Sequence, residues 1–552
     1  MSSNSSLLTR IQSKIRRAAS GSLPTPRNGR MPAERANPAR RKPRSSTPRH
    51  YRMMLMGAFA AHPGNGLVIS VLRRAQVLRD RGNRIDITAF PFDTRFRHAA
   101  HTVAKNFAFG ETIRFRNPYA ELRGDDYREP LPDVNPLPSG STWKIVEDPS
   151  NARNRRAYED GVYRQFIYSD AGTRVVFIDY LDEAGRRQKR SWHDSSGMIT
   201  KYEYFNHENK AVAAEYIHLS GEVCLRADVD ANGAEVNFRL SLPDGRAETF
   251  GTVSELEAWW LVNFVLDEHE WNPIISEYGF RTRVFELAAQ ERKLSVAYAL
   301  HNLHLTAPYS YGSSIKPELV PFFERIAEYD AVVALTEEQR LDLVRSMDCA
   351  DNVFVIPHHF EAREYASQKK PHSVVMSSRV VRTKGHFDAL SVWPRIIEEF
   401  PDATLNIYGT GPDLEPLRKA VHSAGLEASI LLHGFEKNVV QKVSEAAIII
   451  APSQFEGFGL SLIEAMSVGT VPVVYDFKYG ARAMIDHGVN GFITERSNAQ
   501  ELADSVIYLM RNPQVLQSMS EAARNITKKF SAERLGDEWI SLFDELEQRF
   551  QS

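Results

Sequence analysis

Apolar positions follow three different rhythms along this chain. A continuous apolar run at 53–59, a turn at His62-Pro-Gly-Asn-Gly66 and a periodic stretch at 67–81 predict strand, turn and helix, and a second strand follows at 84–90. Past about residue 94 that alternation stops. From 155 to about 250 the pattern becomes short β-type runs, at 163–168, 174–180, 188–193, 199–205 and 236–240. They are divided by Asp170-Ala-Gly172, Asp182-Glu-Ala-Gly185, Asp194-Ser-Ser-Gly197 and Pro243-Asp-Gly245. Such spacing predicts hairpins in a meandering antiparallel sheet.

Helical patterning returns at 254, and strands at 294–300, 331–335 and 353–356 complete a discontinuous first α/β domain. A polar stretch, 361–372, leads to a second series of buried strands at 373–377, 403–408, 430–432, 447–451 and 470–474, separated by helical segments. Continuous apolar strands alternating with helices imply parallel sheets covered on both faces, with ligands at the carboxyl ends of the strands. Two such domains facing one another would form a cleft.

At 552 residues and 43% apolar composition the chain is long enough for about three or four domains. Its two cysteines, Cys224 and Cys349, lie far apart with no zinc-type spacing, so neither a disulfide framework nor a metal site is expected, and a reducing cytosol fits best. No apolar run approaches the ~18 residues of a membrane span. The net charge of −2 conceals an asymmetry: residues 1–50 hold twelve Lys or Arg against one acid, Glu34, leaving −13 for the rest. That Ser-, Pro- and Arg-rich leader has the composition of a disordered tail. Leu7, Leu8, Ile11 and Ile15 beside Arg10, Lys14, Arg16 and Arg17 also suit a helix lying on an anionic membrane surface, and a mitochondrial presequence has similar composition. No nucleic-acid partner is expected.

The richest chemistry lies in Pro452-Ser-Gln-Phe-Glu-Gly-Phe-Gly-Leu-Ser-Leu-Ile-Glu-Ala-Met466, between a strand and a helix. Glu456 falls in the loop and Glu464 in the first helical turns. The backbone N–H groups of Phe458, Gly459 and Leu460 form a helix start suited to phosphate oxygens. A capped helix with two solvent-facing acids would share this pattern. Ser377-Ser-Arg-Val-Val-Arg-Thr-Lys-Gly-His386 also follows a strand and offers Arg379 and Lys384, two cations that could neutralise a leaving diphosphate or simply line a solvated loop. His301-Asn-Leu-His304 ends a strand of the first domain, where either histidine could meet a sugar hydroxyl or serve structure. Gly64-Asn-Gly66 and Tyr408-Gly-Thr-Gly411, with Gly409, stand at strand-to-helix turns expected near a nucleotide. Asp228-Val-Asp230 has the form of a D-x-D metal motif but sits beside a turn of the β region, and no metal is assigned to it.

Together these stretches resemble family 4 retaining glycosyltransferases, whose hallmark E-x7-E is here Glu456 to Glu464. The resemblance covers about 285–530 and includes Leu431-Leu-His-Gly-Phe435, Tyr475-Asp-Phe-Lys-Tyr-Gly480 and Asp486-His-Gly-Val-Asn-Gly-Phe492. It implies an α/β GT-B fold of two Rossmann-like domains facing a cleft. By it Glu456 contacts the transferred hexose, Glu464 holds the ribose, Arg379 and Lys384 clamp the diphosphate, and His301 reaches the sugar from the first domain. The donor site would comprise Gly64, Gly66, Gly409, Phe458, Gly459, Leu460 and Glu464.

The β region narrows the resemblance through Tyr158-Glu-Asp-Gly161, Phe177-Ile-Asp-Tyr-Leu181 and Asp194-Ser-Ser-Gly-Met-Ile199. It is similar to the inserted domain of poly(glycerol-phosphate) and wall teichoic acid α-glycosyltransferases and of enzymes that glycosylate serine-rich adhesins. The resemblance implies a cytoplasmic, metal-independent hexosyltransferase, in solution or peripheral at the inner face of the cell membrane. UDP-glucose or UDP-GlcNAc would serve as co-substrate, without a cofactor. The acceptor would be a polymer or a protein, and the assembly a homo-oligomer, trimer or dimer. The expected division is a basic leader 1–50, a first domain 51–95 plus 271–365, an insertion 96–270, a second domain 366–530 and a C-terminal helix 531–552.

Overall fold

The computed structural model describes residues 48–55, 66–170, 174–277, 281–347, 351–360, 365 and 368–552. Residues 1–47 of the basic leader, and Gly64, lie outside the described residues. The chain divides into two compact units, Ser46–Ala299 and Leu300–Gln548.

In the first unit five parallel strands are ordered Ile113–Arg116, Arg84–Ala89, His50–Leu55, Asn272–Glu277 and Leu294–Ala299. Counted along the chain this is 3-2-1-4-5, so the order reverses between the first and fourth strands, and a crevice is expected there at the carboxyl edge. The helix Gly66–Arg79 buries Val68, Val71, Leu72, Ala75 and Leu78, one stripe at helical spacing.

The βα alternation does not stop at 94 as the hydrophobic pattern suggests. It continues through the helix Phe96–Asn106 and the strand Ile113–Arg116, so 96 is too early a boundary for the insertion. Two arginines mask that four-residue strand. Arg116 is nonetheless accommodated, donating to Asp86 at 3.1 Å and to Glu121 at 2.6 and 2.7 Å.

The insertion is a ten-stranded antiparallel sheet running from Trp143–Asp148 to Ala247–Phe250, each strand paired with its sequence neighbours. Several of its turns share one device. The side chain of the Asx residue that opens a turn accepts from the backbone N–H four residues on: Asp182 from Arg186 at 2.8 Å, Asp194 from Met198 at 3.1 Å, Asn206 from Lys210 at 3.1 Å and Asp230 from Ala234 at 2.9 Å. Asp228 accepts from Asn237 at 3.0 Å, so both acids of the D-x-D stretch serve the hairpin. Buried ion pairs join the insertion to the parallel layer: Arg97 to Asp125, and Arg123 to Asp125 and to Asp194 at 3.4 and 3.0 Å.

The second unit holds six parallel strands ordered Ile430–Gly434, Thr404–Tyr408, Lys370–Ser377, Ala446–Ala451, Val471–Tyr475 and Phe492–Thr494. Here too the order, 3-2-1-4-5-6, reverses between the first and fourth strands. Its core is apolar throughout, with Val374, Val375, Trp393, Leu405, Ile448, Ile463 and Val473 fully or almost fully buried. The strands Ala331–Ala334 and Val353–Val355 continue the first sheet beyond Leu294–Ala299 to seven parallel strands, as the hydrophobic pattern predicts, although the compact units divide at residue 300. The chain ends in the helix Ala532–Gln551. No helix among the described residues is long and apolar enough to cross a membrane.

Candidate functional site

In the second unit the loops that follow the first and fourth strands meet where the strand order reverses. Gln454 N donates to Thr383 O at 2.8 Å, tying loop 452–459 to loop 378–385. Their approach is close enough to require glycine at Gly385, whose φ is +71° and where a Cβ would stand 2.1 Å from the Pro452 carbonyl oxygen.

Across this seam Lys384 Nζ donates to Glu456 Oε1 at 2.5 Å, and Ser453 Oγ donates to the same oxygen at 2.9 Å. The Lys384 and Glu456 side chains are 20% and 18% exposed, sheltered yet open to a ligand. Such a pair has few counter-charges to lose when a diphosphate enters: the ammonium can turn to the phosphate while Ser453 keeps the carboxylate aimed.

The helix Leu460–Ser467 starts beside this pair, with Gly459 at φ +99° as its cap residue, and Phe458 is buried behind it. The first-turn N–H groups of a helix carry partial positive charge toward an anion. Glu464 is half-buried one turn on. Arg379 is exposed on loop 378–385, and the backbone N–H of Val380 beside it bonds Thr410 O at 3.0 Å. Gly409 N donates to Gly434 O at 2.7 Å, which places the Tyr408-Gly-Thr-Gly411 turn at the same edge.

His301 follows the strand Leu294–Ala299 of the seven-stranded sheet, as expected, and groups with Glu456 in one compact unit. Gly457 explains the grouping: a Cβ there would lie 2.0 Å from the His301 carbonyl oxygen, so loop 452–459 packs on the His301 backbone. The His301 ring is half-buried and stacks on His358 at 5.4 Å. His304 is buried, only 1% exposed, between Phe323 and Tyr479, and burial pushes its imidazole down to about 4. Of the two histidines, only His301 is open to a ligand. Gly66 opens the helix Gly66–Arg79 of the first unit.

Sequence reasoning missed the support of Glu456. Glu456 N donates to Lys478 O at 2.8 Å and Tyr479 N to Glu456 O at 2.9 Å, so residues 478–479 clamp its backbone. Their side chains are anchored in turn on the helix Glu337–Met347: Lys478 pairs with Asp342 and with Glu338 at 3.2 Å, and Tyr479 OH donates to Asp342 at 2.9 Å. Burial raises the Glu338 carboxyl, and burial with the Asp342 charge raises the Tyr479 hydroxyl. His386, at the start of the helix His386–Glu399, is pushed down to about 4 by burial and by Lys384, which keeps it uncharged beside the cation.

Two parallel α/β sheets, each with a reversal of strand order, together with the structural likenesses below, show a GT-B fold. Residues 359–526 are a Glycosyl transferases group 1 domain. The chain is 27% identical over 397 residues to poly(glycerol-phosphate) alpha-glucosyltransferase of Bacillus subtilis, covering 69% of this chain and 57% of the relative, so it spans little more than half of that protein's length. It is 24% identical over 387 residues to poly(ribitol-phosphate) alpha-N-acetylglucosaminyltransferase of Staphylococcus aureus, covering 70% of this chain and 76% of the relative. Among solved structures, a variant of S. aureus TarM in complex with fondaparinux, alpha-GlcNAc-glycerol and UDP superposes with a TM-score of 0.76 at 20% identity, over 90% of this chain and 99% of that one. The pneumococcal O-GlcNAc transferase GtfA, in complex with UDP and GlcNAc, gives 0.70 at 19% identity, over 90% and 99%.

Proposed function

We propose that this chain is a retaining, metal-independent hexosyltransferase that moves glucose or GlcNAc from a UDP-sugar to a hydroxyl of a cell-surface polymer such as teichoic acid. The observation that carries the reading is the Lys384–Glu456 pair, held by Ser453 at the reversal of strand order in the group 1 domain. In this reading Lys384 and Arg379 take up charge on the departing diphosphate, in place of a divalent ion. Glu456 orients the hexose and stabilises its oxocarbenium character, Glu464 holds the ribose, and His301 meets a sugar hydroxyl. The acceptor hydroxyl attacks from the same face that the diphosphate leaves and gives its proton to the departing phosphate, so the configuration is retained, and the enzyme works at the cytoplasmic face.

The relatives named for poly(glycerol-phosphate) and poly(ribitol-phosphate) support a polymer acceptor. A Ser/Thr-rich protein acceptor is the second reading. It is supported by a 26% identity over 363 residues to the GtfA subunit of a peptide N-acetylglucosaminyltransferase from Streptococcus gordonii.

The deciding experiment incubates purified protein with UDP-glucose or UDP-GlcNAc and either a poly(glycerol phosphate) or a Ser-rich peptide, with and without EDTA, and reads product linkage by NMR. An α-linked product on the polymer, formed equally in EDTA, is expected. Loss of activity in EDTA with recovery in magnesium would overturn the metal-independent assignment, and a β-linkage would overturn retention.

A further inference from the structure

A cavity of about 430 Å³ opens in the first unit, between the ten-stranded sheet and the loop Phe92 to Arg95 that follows the strand Arg84–Ala89. Its volume falls within the roughly 300–1,000 Å³ of small-ligand sites. It is remote in sequence from the Lys384–Glu456 pair, and none of the residues discussed so far as donor ligands lines it.

Three features give the cavity a chemical preference. Its wall is aromatic: Tyr168, 39% exposed, and half-buried Trp192 both line it, with Phe177 between them at ring distances of 4.9 and 5.3 Å. Phe177 is itself fixed, because Arg190 lies 3.7 Å over its ring while bonding Asp179 at 2.6 and 2.9 Å. A rigid aromatic step of this kind suits the C–H face of a sugar ring, whose burial removes apolar surface from water without displacing its hydroxyls.

The second feature is Asp93. Its side chain is only 8% exposed, and Oδ1 accepts from Arg95 N at 2.9 Å and Arg95 Nε at 3.3 Å, yet Oδ2 has no hydrogen-bond partner. A buried acceptor left unpaired destabilises the fold, and an O–H donor from a ligand would recover that loss. The third is charge. Lys201, the cation deepest in the lining, is committed to Glu203 at 2.8 Å and Glu235 at 2.6 Å, and so is neutralised by the protein itself. A carboxylate oxygen without a partner and the lack of a free buried cation favour hydroxyl donors over phosphate and sulfate.

We propose that this cavity is a saccharide subsite that takes one neutral pyranose ring, with Tyr168 and Trp192 as its platform and Asp93 as the acceptor for its hydroxyls. The site rests on the hexosyltransferase reading only for the source of that ring. In that reading the ring is a hexose the enzyme has already placed on its polymer, and the cavity grips the product instead of the anionic backbone. Holding one finished unit raises the local concentration of the next hydroxyl, so transfers cluster along a chain.

The test titrates the full-length protein with methyl α-D-glucopyranoside, methyl N-acetyl-α-D-glucosaminide and glycerol 3-phosphate, following tryptophan fluorescence and heat, with UDP titrated in parallel. A neutral glycoside should bind, and Asp93→Ala and Tyr168→Ala should each weaken it at least tenfold while leaving UDP binding and the thermal melt unchanged. Asp93→Asn, which keeps an acceptor oxygen, should retain most of the affinity. Absence of glycoside binding, binding of glycerol 3-phosphate in preference, or glycoside affinity indifferent to both alanine variants would overturn the subsite. Glycoside binding without UDP binding would uphold the subsite and remove the transferase reading instead.

Discussion

Each parallel sheet of this chain carries a cation–carboxylate pair between its first and fourth strands, where strand order reverses, and the two pairs do opposite jobs. In the first unit Arg74, on the helix after the first strand, donates to Glu277, the last residue of the fourth, at 2.5 Å with side chains 4% and 0% exposed. In the second unit Lys384 and Glu456 occupy the loops after the corresponding strands at the same separation, each about a fifth exposed. Topology alone therefore does not make a site. A desolvated pair is locked by the charge its partner would leave behind, whereas a sheltered but open pair can exchange its partner for a ligand.

Separating structure from chemistry at the two pairs gives the largest expected effects. Glu277→Ala should destabilise the protein by about 3–5 kcal/mol through the charge stranded on Arg74, without changing the kcat of the molecules that stay folded. Denaturant unfolding with activity titration checks this, and a collapse of kcat in fully folded protein would break the comparison. Lys384→Ala should do the reverse, lowering kcat about 10²–10³-fold with an unshifted melting temperature, since a partly exposed pair contributes only about 0–1 kcal/mol to stability. A variant that turns over normally but melts early would assign Lys384 to structure.

A pH series sharpens the contrast. Glu257, 1% exposed beside Arg281 at 3.2 Å, has its carboxyl pushed up to about 7 by burial, against the opposing pull of the arginine. The folded state keeps a proton that the unfolded chain gives up, so stability is fully present below the ordinary carboxylate range and falls as pH rises to about 7. The loss should amount to roughly 3–4 kcal/mol. Glu257→Gln should flatten that slope, and unfolding curves between pH 4 and pH 8 that remain parallel for both proteins would refute it. The smallest effect belongs to Glu464→Ala, which should weaken donor binding by about 1–3 kcal/mol and leave kcat nearly intact. A fall in kcat at constant donor KM would instead move Glu464 into the chemical step.

The second sheet was readable because its strands are uninterrupted apolar runs and its loops carry charges at short spacing, so Lys384 and Glu456 announced themselves. Turn chemistry made several hairpins of the insertion equally legible through Asp182, Asp194 and the glycines after them. Strands without that contrast escaped. Asn151–Glu159 reads Asn-Ala-Arg-Asn-Arg-Arg-Ala-Tyr-Glu, and among its described side chains only Ala157 is fully buried. Ala211–Ile217 and Val223–Val229 pass for ordinary mixed sequence. The anchoring of Lys478 and Tyr479 on Asp342 joins residues 136 and 137 positions apart, and no local pattern announces a partner at that distance. The backbone contact of His301 with Gly457 escaped for the same reason.

The strand pairing of the meander bears on the order in which the nascent chain gains structure. The first three strands of the first sheet leave the ribosome well before Asn272–Glu277, the strand that must join His50–Leu55 to complete the central layer. Left as coil, the intervening segment would be a long loop to close. Because every one of its ten strands pairs only with a sequence neighbour, it can zip up hairpin by hairpin while translation proceeds, without waiting for distant residues. The loop that must finally close is then short and stiff, and the late strand is delivered to its slot by a platform already assembled.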